Sequence, residues 1–181
     1  MRKITLVFLL ILFVKISFGQ EESQLTKSGL KLTFLNPGME YEFKLSEKST
    51  FALNLGIGYG GSYKDLKTSG DGFMYLLSPF YDMQYRNYYN ITKRNSAGKN
   101  VKYNSSNYFG VRLLVRGPEI ASSFSRTSEL DYAFGPTWGI QRAFNQFYVL
   151  FDVGPYVYFD MKGEYGFLPM FQLNIGYNLR K

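Results

Sequence analysis

The chain has 181 residues, 45% hydrophobic and 19% aromatic, with 16 Tyr, 17 Phe, no Cys, no His and a formal charge of +7. That length suits one domain, and the missing residue types exclude a disulfide framework, thiolate metal sites, Ser-His-Asp hydrolysis, Cys-His chemistry and the commonest metal ligand. Mean hydropathy is −0.19, and past the N-terminus no apolar run approaches the ~20 residues of a membrane helix, so the apolar content is carried by alternation.

Residues 1–19 have the three parts of a signal peptide: Arg2 and Lys3, an apolar run over 4–14, then Ser17 and Gly19 as small residues at the −3 and −1 positions. Cleavage is expected between Gly19 and Gln20. Of the +7 formal charge, Arg2, Lys3 and Lys15 belong to this segment, leaving +4 for the mature chain. Nucleic-acid binding has no further support. No Cys follows the cleavage point, which excludes a lipoprotein anchor. Residues 20–28 form a polar, flexible lead, and 29–181 form one domain.

Leu30, Leu32 and Phe34 share one phase of an extended chain, whereas Leu35, Met39, Tyr41, Phe43 and Leu45 fall in the other. A one-residue slip exchanges the faces of a strand, so a turn or bulge must lie between. Asn36, Pro37 and Gly38 supply turn chemistry there. The reading is a short first strand, a tight turn and a second strand to Leu45; the alternative is one long strand with a bulge. After a polar turn at 46–49, residues 51–60 alternate without a break: Phe51, Leu53, Leu55, Ile57 and Tyr59 against Ala52, Asn54, Gly56, Gly58 and Gly60. One face of that strand is bulky and apolar, the other small or polar.

A polar, glycine-bearing loop is expected over 61–72. From Phe73 the apolar set is Tyr75, Leu77, Pro79, Tyr81, Met83 and Tyr85, with Ser78, Asp82, Gln84 and Arg86 opposite. Pro79 lacks an N–H, so the ladder is expected to show a gap or bulge there. Residues 88–107 break the alternation and hold Lys93, Arg94, Lys99 and Lys102 without an acid. They read as a helical turn followed by a polar, solvated connection. Phe109, Val111, Leu113 and Val115 restore the scheme against Gly110, Arg112 and Arg116. A Ser-rich loop over 117–130 follows. Tyr132, Phe134, Pro136, Trp138 and Ile140 then oppose Gly135, Thr137, Gly139 and Gln141. Past a turn at 142–146, Phe147, Val149, Phe151, Val153 and Val157 oppose Asp152, Gly154 and Tyr156. A loop at 159–166 leads to Phe171, Leu173, Ile175, Tyr177 and Leu179.

With a turn at 36–38 the strands number eight, and without it seven. Barrels of single-chain outer-membrane proteins have even strand numbers and place both termini on the periplasmic side, which favours eight. The fold class expected is all-β: a transmembrane, antiparallel, up-and-down β-barrel after a signal peptide, with apolar rings facing lipid and glycines and charges facing a narrow lumen. On that assignment Glu40, Glu42, Asp82 and Asp152 meet Lys44, Arg86, Arg112 and Arg116 inside, as an ion-pair network that fills the interior. A soluble, lipocalin-like binding barrel of the periplasm would have the faces reversed.

The alternating strands, together with LNPGMEYEFKL, QYRNYYN and the closing FQLNIGYNL, resemble the small outer-membrane β-barrel proteins of Gram-negative bacteria, families of mostly unassigned function. The resemblance spans residues 30–181. It implies an outer-membrane location, no cofactor and contact with outer-membrane lipid. One departure is the terminus, where Leu179 is followed by Arg180 and Lys181 rather than closing on an aromatic residue. Outer-membrane enzymes of this size generally employ a histidine, so no enzyme is expected. Two functions fit: a structural or surface-interaction barrel, with loops 61–72, 117–130 and 159–166 reaching a surface ligand, or a barrel that passes a small solute. By strand parity the basic segment 88–107 lies on the periplasmic side, where its cations would meet lipid phosphates or cell-wall polymer.

Overall fold

The computed structural model describes residues 24–60, 75–123 and 128–180. The signal segment with its expected Gly19–Gln20 cleavage point, the start of the lead, the loop 61–72 and positions 124–127 of the loop expected at 117–130 lie outside these residues; the described part of that last loop is not all loop, since it holds a two-residue strand at Ala121–Ser122. The strands are β1 (Ser28–Thr33), β2 (Gly38–Lys44), β3 (Ser49–Gly60), β4 (Leu76–Asn87), β5 (Asn107–Arg116), the two-residue β6 (Ala121–Ser122), β7 (Asp131–Phe144), β8 (Phe147–Asp160) and β9 (Tyr165–Arg180). The helix α1 (Ile91–Ser96) and a 3-10 turn (Lys102–Asn104) lie between β4 and β5.

Every pairing is antiparallel, and β1–β2–β3–β4–β5–β7–β8–β9 closes on itself through β1–β9, giving a ring of eight strands with β6 as an appendage of β4. Closure removes the exposed edges that make open sheets prone to association. The turn at 34–37 separates β1 from β2, so the change of apolar phase marks a hairpin. The end at which β1 starts and β9 finishes is called the base below, and the opposite end the rim.

One local expectation is met and two are corrected. The ladder from β3 runs through Pro79 without a shift, from Tyr59–Leu77 to Ser49–Asn87. On the other side of β4 the ladder has the expected gap at Pro79: the last β4–β5 pair is Phe80–Arg116, Pro79 O accepts from Gly117 N–H at 2.9 Å, and pairing resumes with β6 at Leu77–Ala121. The missing donor falls in that gap. The loop expected at 159–166 shrinks to 161–164, because β8 and β9 stay paired up to Phe159–Tyr165. The turn expected at 142–146 is the two residues Asn145 and Gln146, with Asn145 at φ 56°.

Polarity is inverted relative to a protein folded around an apolar centre. Side chains buried in the ring include Lys31, Glu40, Glu42, Asp82, Arg86, Arg112, Asp152, Gln84, Gln141 and Asn174. Those exposed on its outside include Leu53, Leu55, Ile57, Tyr81, Phe109, Phe134, Phe151, Phe171 and Leu173. Glycines on the inner face make room for inner rings: a Cβ on Gly139 would stand 2.3 Å from the Tyr108 ring, and one on Gly176 would stand 2.6 Å from that of Tyr148. Large and small residues alternate around the interior, which is how a narrow ring is filled.

Candidate functional site: the ion-packed interior

The interior fills in layers from base to rim. At the base lies the segment expected to be a helical turn and a solvated connection; the helix and the exposed Lys93, Lys99 and Lys102 agree with that reading, but the inward side of the segment departs from it. Tyr88, Ile91, Asn104, Ser105 and Ser106 are buried. Tyr88 and Ile91 pack with Leu25, Tyr108, Ala143, Tyr148 and Leu150, and Val101 and Tyr103 close over them. Hydrogen bonds tie the segment to β7: Asn100 Nδ2 donates to Ala143 O at 2.8 Å, Gln141 Nε2 to Tyr103 O at 2.6 Å, and Ala143 N to Ser105 Oγ at 2.8 Å. Arg94, counted among the solvated cations, donates to Ser105 O at 2.9 Å and Asn100 O at 3.1 Å within the segment. Residues 88–106 are a stopper seated in the base.

Above the stopper stands the first charge cluster. Lys31 Nζ reaches Glu40 at 2.7 Å and Glu42 at 2.6 Å. Arg86 grips Glu40 with Nη1 on Oε1 at 3.0 Å and Nη2 on Oε2 at 2.9 Å, a two-pronged geometry that suits guanidinium and carboxylate. Glu42 Oε1 also accepts from Thr50 Oγ1 and Tyr88 Oη, both at 2.7 Å. Tyr88 lies just past β4; burial first, then the Glu42 carboxylate, holds its phenol well above the ordinary value, so it stays a donor.

Gln84 links this cluster to the next. Its Oε1 accepts from Arg86 Nε, and its Nε2 donates to Asp152 at 3.1 Å. Arg112 then holds Asp82 through Nε at 2.8 Å and Nη2 at 2.6 Å, and reaches Asp152 through Nη1 at 3.4 Å. Tyr108 Oη donates to Asp152 at 2.9 Å. Arg112 and Asp82 stand on the neighbouring strands β5 and β4, two residues out of direct register. Tyr108 and Arg112 reach Asp152 across β7, where Gly139, paired with both Tyr108 and Asp152, leaves the room.

Of the eight residues expected in the network, six are brought together: Glu40, Glu42, Asp82, Arg86, Arg112 and Asp152. Lys44 is not among them. It stands at the base end of β2 and pairs with Glu47 at 3.0 Å, with Glu47 largely exposed. Arg116 lies nearer the rim, lining a cavity beyond the apolar layer of Phe80, Leu114, Ala133 and Tyr156. Lys31 belongs to the network and was missed. It alternates with Leu30 and Leu32, so the pattern that placed Glu40 inside placed Lys31 there too, and β1–β2 register sets the two side by side.

Among the described residues the buried charges are therefore three cations and four carboxylates. Hydroxyl and amide donors from Thr50, Tyr88, Tyr108 and Gln84 make up the difference. Such an arrangement fixes side chains rather than presenting them to a substrate, and no group of three His, Cys, Asp or Glu able to hold a metal occurs among the described residues. No protein-family model, curated protein or solved structure matches the chain.

Proposed function

We propose that the chain is a transmembrane β-barrel of a Gram-negative outer membrane, with a structural or surface-interaction role and an interior filled by its own side chains. The observation that carries this reading is the inverted polarity: charges buried in the ring, large apolar side chains displayed outside it. Leaving the outer face in water would waste an apolar surface of many rings, whereas acyl chains accept it at no cost. A soluble binding barrel calls for the opposite arrangement. Aromatic groups gathered near the ends support the reading, since rings favour the headgroup level. At the base Trp138 donates to Tyr89, whose ring lies 5.0 Å from Phe109, and towards the rim Tyr132 stacks on Phe159 at 5.1 Å.

On this reading residues 1–19 direct export, the base faces the periplasm and the rim faces outward, exposing Ile120, Met161 and Tyr165 to a surface partner. The filled interior favours a scaffold over a solute pore, because the stopper, the two charge clusters and the apolar layer lie in series. Planar-bilayer recording tests this directly. The purified protein should leave the bilayer silent; steady, resolvable single-channel steps would favour the transport reading.

A further inference from the structure

On β7 the outward phase near the base reads Trp138, Ile140, Arg142 and Phe144, alternating with the buried Gly139, Gln141 and Ala143. A guanidinium therefore stands on the face that carries the outer rings. Nη2 of Arg142 donates to Asn107 Oδ1 at 2.6 Å, and Nη1 to Gln141 O at 2.7 Å. Asn107 Nδ2 in turn donates to Tyr89 Oη at 3.3 Å, and Trp138 Nε1 to the same oxygen at 3.1 Å. The Tyr89 ring lies 5.0 Å from that of Phe109. One amide and one phenol thus join the cation to a floor of three rings.

The acceptors that meet Arg142 are neutral, and the charge beside it, Arg94, has the same sign. The stopper brings Arg94 there. It donates to Ser105 O and Asn100 O, and those two residues clasp Ala143, next to Arg142, through Ser105 Oγ and Asn100 Nδ2. Inside the ring Arg86 and Arg112 each hold a carboxylate, whereas among the described residues neither Arg94 nor Arg142 does. Glu47, an exposed acid at the base, pairs with Lys44. Tyr89 adds a further donor. Its oxygen already accepts two N–H groups, and its own hydrogen meets no acceptor among the described residues. Two like charges and a free hydroxyl that converge without a counter-ion favour an anion.

We infer that Arg94, Arg142 and Tyr89 hold the phosphate of an anionic phospholipid from the periplasmic leaflet, whose acyl chains lie along Phe109, Trp138 and Ile140. Such a site exists only if the membrane reading above holds. Depth favours a lipid over a soluble anion: Arg142 stands two outward positions closer to the base than Trp138, and rings settle at the headgroup boundary, so the guanidinium falls among the phosphates. Guanidinium N–H groups match phosphate oxygens in pairs. A choline head would bring a third cation to the two arginines, whereas a glycerol head would not.

The chain has one tryptophan, so the fluorescence of Trp138 reports on this place alone. The full mature protein is folded into phosphatidylcholine nanodiscs that carry a low mole fraction of brominated phosphatidylglycerol, phosphatidylcholine or diacylglycerol. Brominated phosphatidylglycerol should quench Trp138 with an association constant at least about fivefold above that of brominated phosphatidylcholine, the effect of one cation on an anionic lipid, and diacylglycerol should show no preference. Arg142→Gln should abolish the preference. Lys27→Gln, which removes the same charge beside β1, should leave it unchanged; an equal drop in both would assign the effect to the net charge of the base and overturn the site. If Arg142→Gln fails to fold, Tyr89→Phe should lower the preference at least about twofold. Millimolar inorganic phosphate should not relieve the quenching; relief would overturn the lipid assignment in favour of a soluble anion. Equal quenching by the two brominated phospholipids would overturn the site and leave the membrane reading standing, because Trp138 would still meet bulk lipid. A Trp138 that no brominated lipid quenches would remove both.

Discussion

Lys31 and Lys44 lie on neighbouring strands, yet one is enclosed between two carboxylates and the other sits at the base beside an exposed Glu47. Removing one member of a buried, hydrogen-bonded ion cluster leaves its partners unpaired, at about 3–5 kcal/mol, whereas a solvent-screened pair contributes at most about 1 kcal/mol. In urea titrations of the detergent-folded protein, Lys31→Ala and Arg112→Ala should therefore lower the unfolding midpoint well below that of Lys44→Ala. Equal midpoints would mean the interior charges are not mutually committed. Gly139 is a second sensitive residue. Tyr108, whose hydroxyl is held by Asp152, cannot retreat from a side chain added there, so Gly139→Val should cost about 1–3 kcal/mol by the same titration. The sequence made six of the network residues legible through period-two alternation. Lys44 shared that phase, but a strand's last residue lies where the interior opens to solvent, and alternation carries no information about depth along the axis.

Among the elements, the strands were the most legible, because a half-buried strand must alternate. The hairpin could be read because two signals coincided, a phase change and Asn36-Pro37-Gly38. The stopper at 88–106 was not legible as a buried element. Its apolar contacts come singly, from Tyr88, Ile91 and Tyr103, with no period, and Lys93, Lys99 and Lys102 are exposed as their charge suggests, while the backbone carbonyls of the segment and β7 satisfy the polar groups on its inward side. Ile91 anchors it among Leu25, Tyr148 and Leu150. Ile91→Asp places an unpaired charge in that cluster, so proteolysis of the detergent-folded protein should cut within 88–106 far faster in the variant than in the wild type, with the ring itself left resistant. Equal rates would show that the segment is not seated. The extra length of β8 and β9 was signalled by Phe159 and Phe167, which keep the outward phase into what read as a loop, but Lys162, Gly163 and Glu164 outweighed them.

For the whole molecule, a closed ring turns alternation into an environment: one face must be inside, and its small size leaves room there for a few rings set against glycines and for charges that answer one another. The outside is then apolar by exclusion, and on the proposed reading acyl chains cover it. Strand count followed from parity and the hairpin; that the short β1 stands beside the long β9 did not, since it depends on which strands become neighbours when the ring closes. The most direct measurement is gel mobility of the cell-extracted protein, with and without boiling, after separation of membrane and soluble fractions. The protein should stay with the outer membrane, and its unboiled form should run at a different mobility from the boiled one, as a ring locked by its interior ions should. A protein recovered from the periplasm without detergent, with a single mobility under both treatments, would contradict the membrane reading.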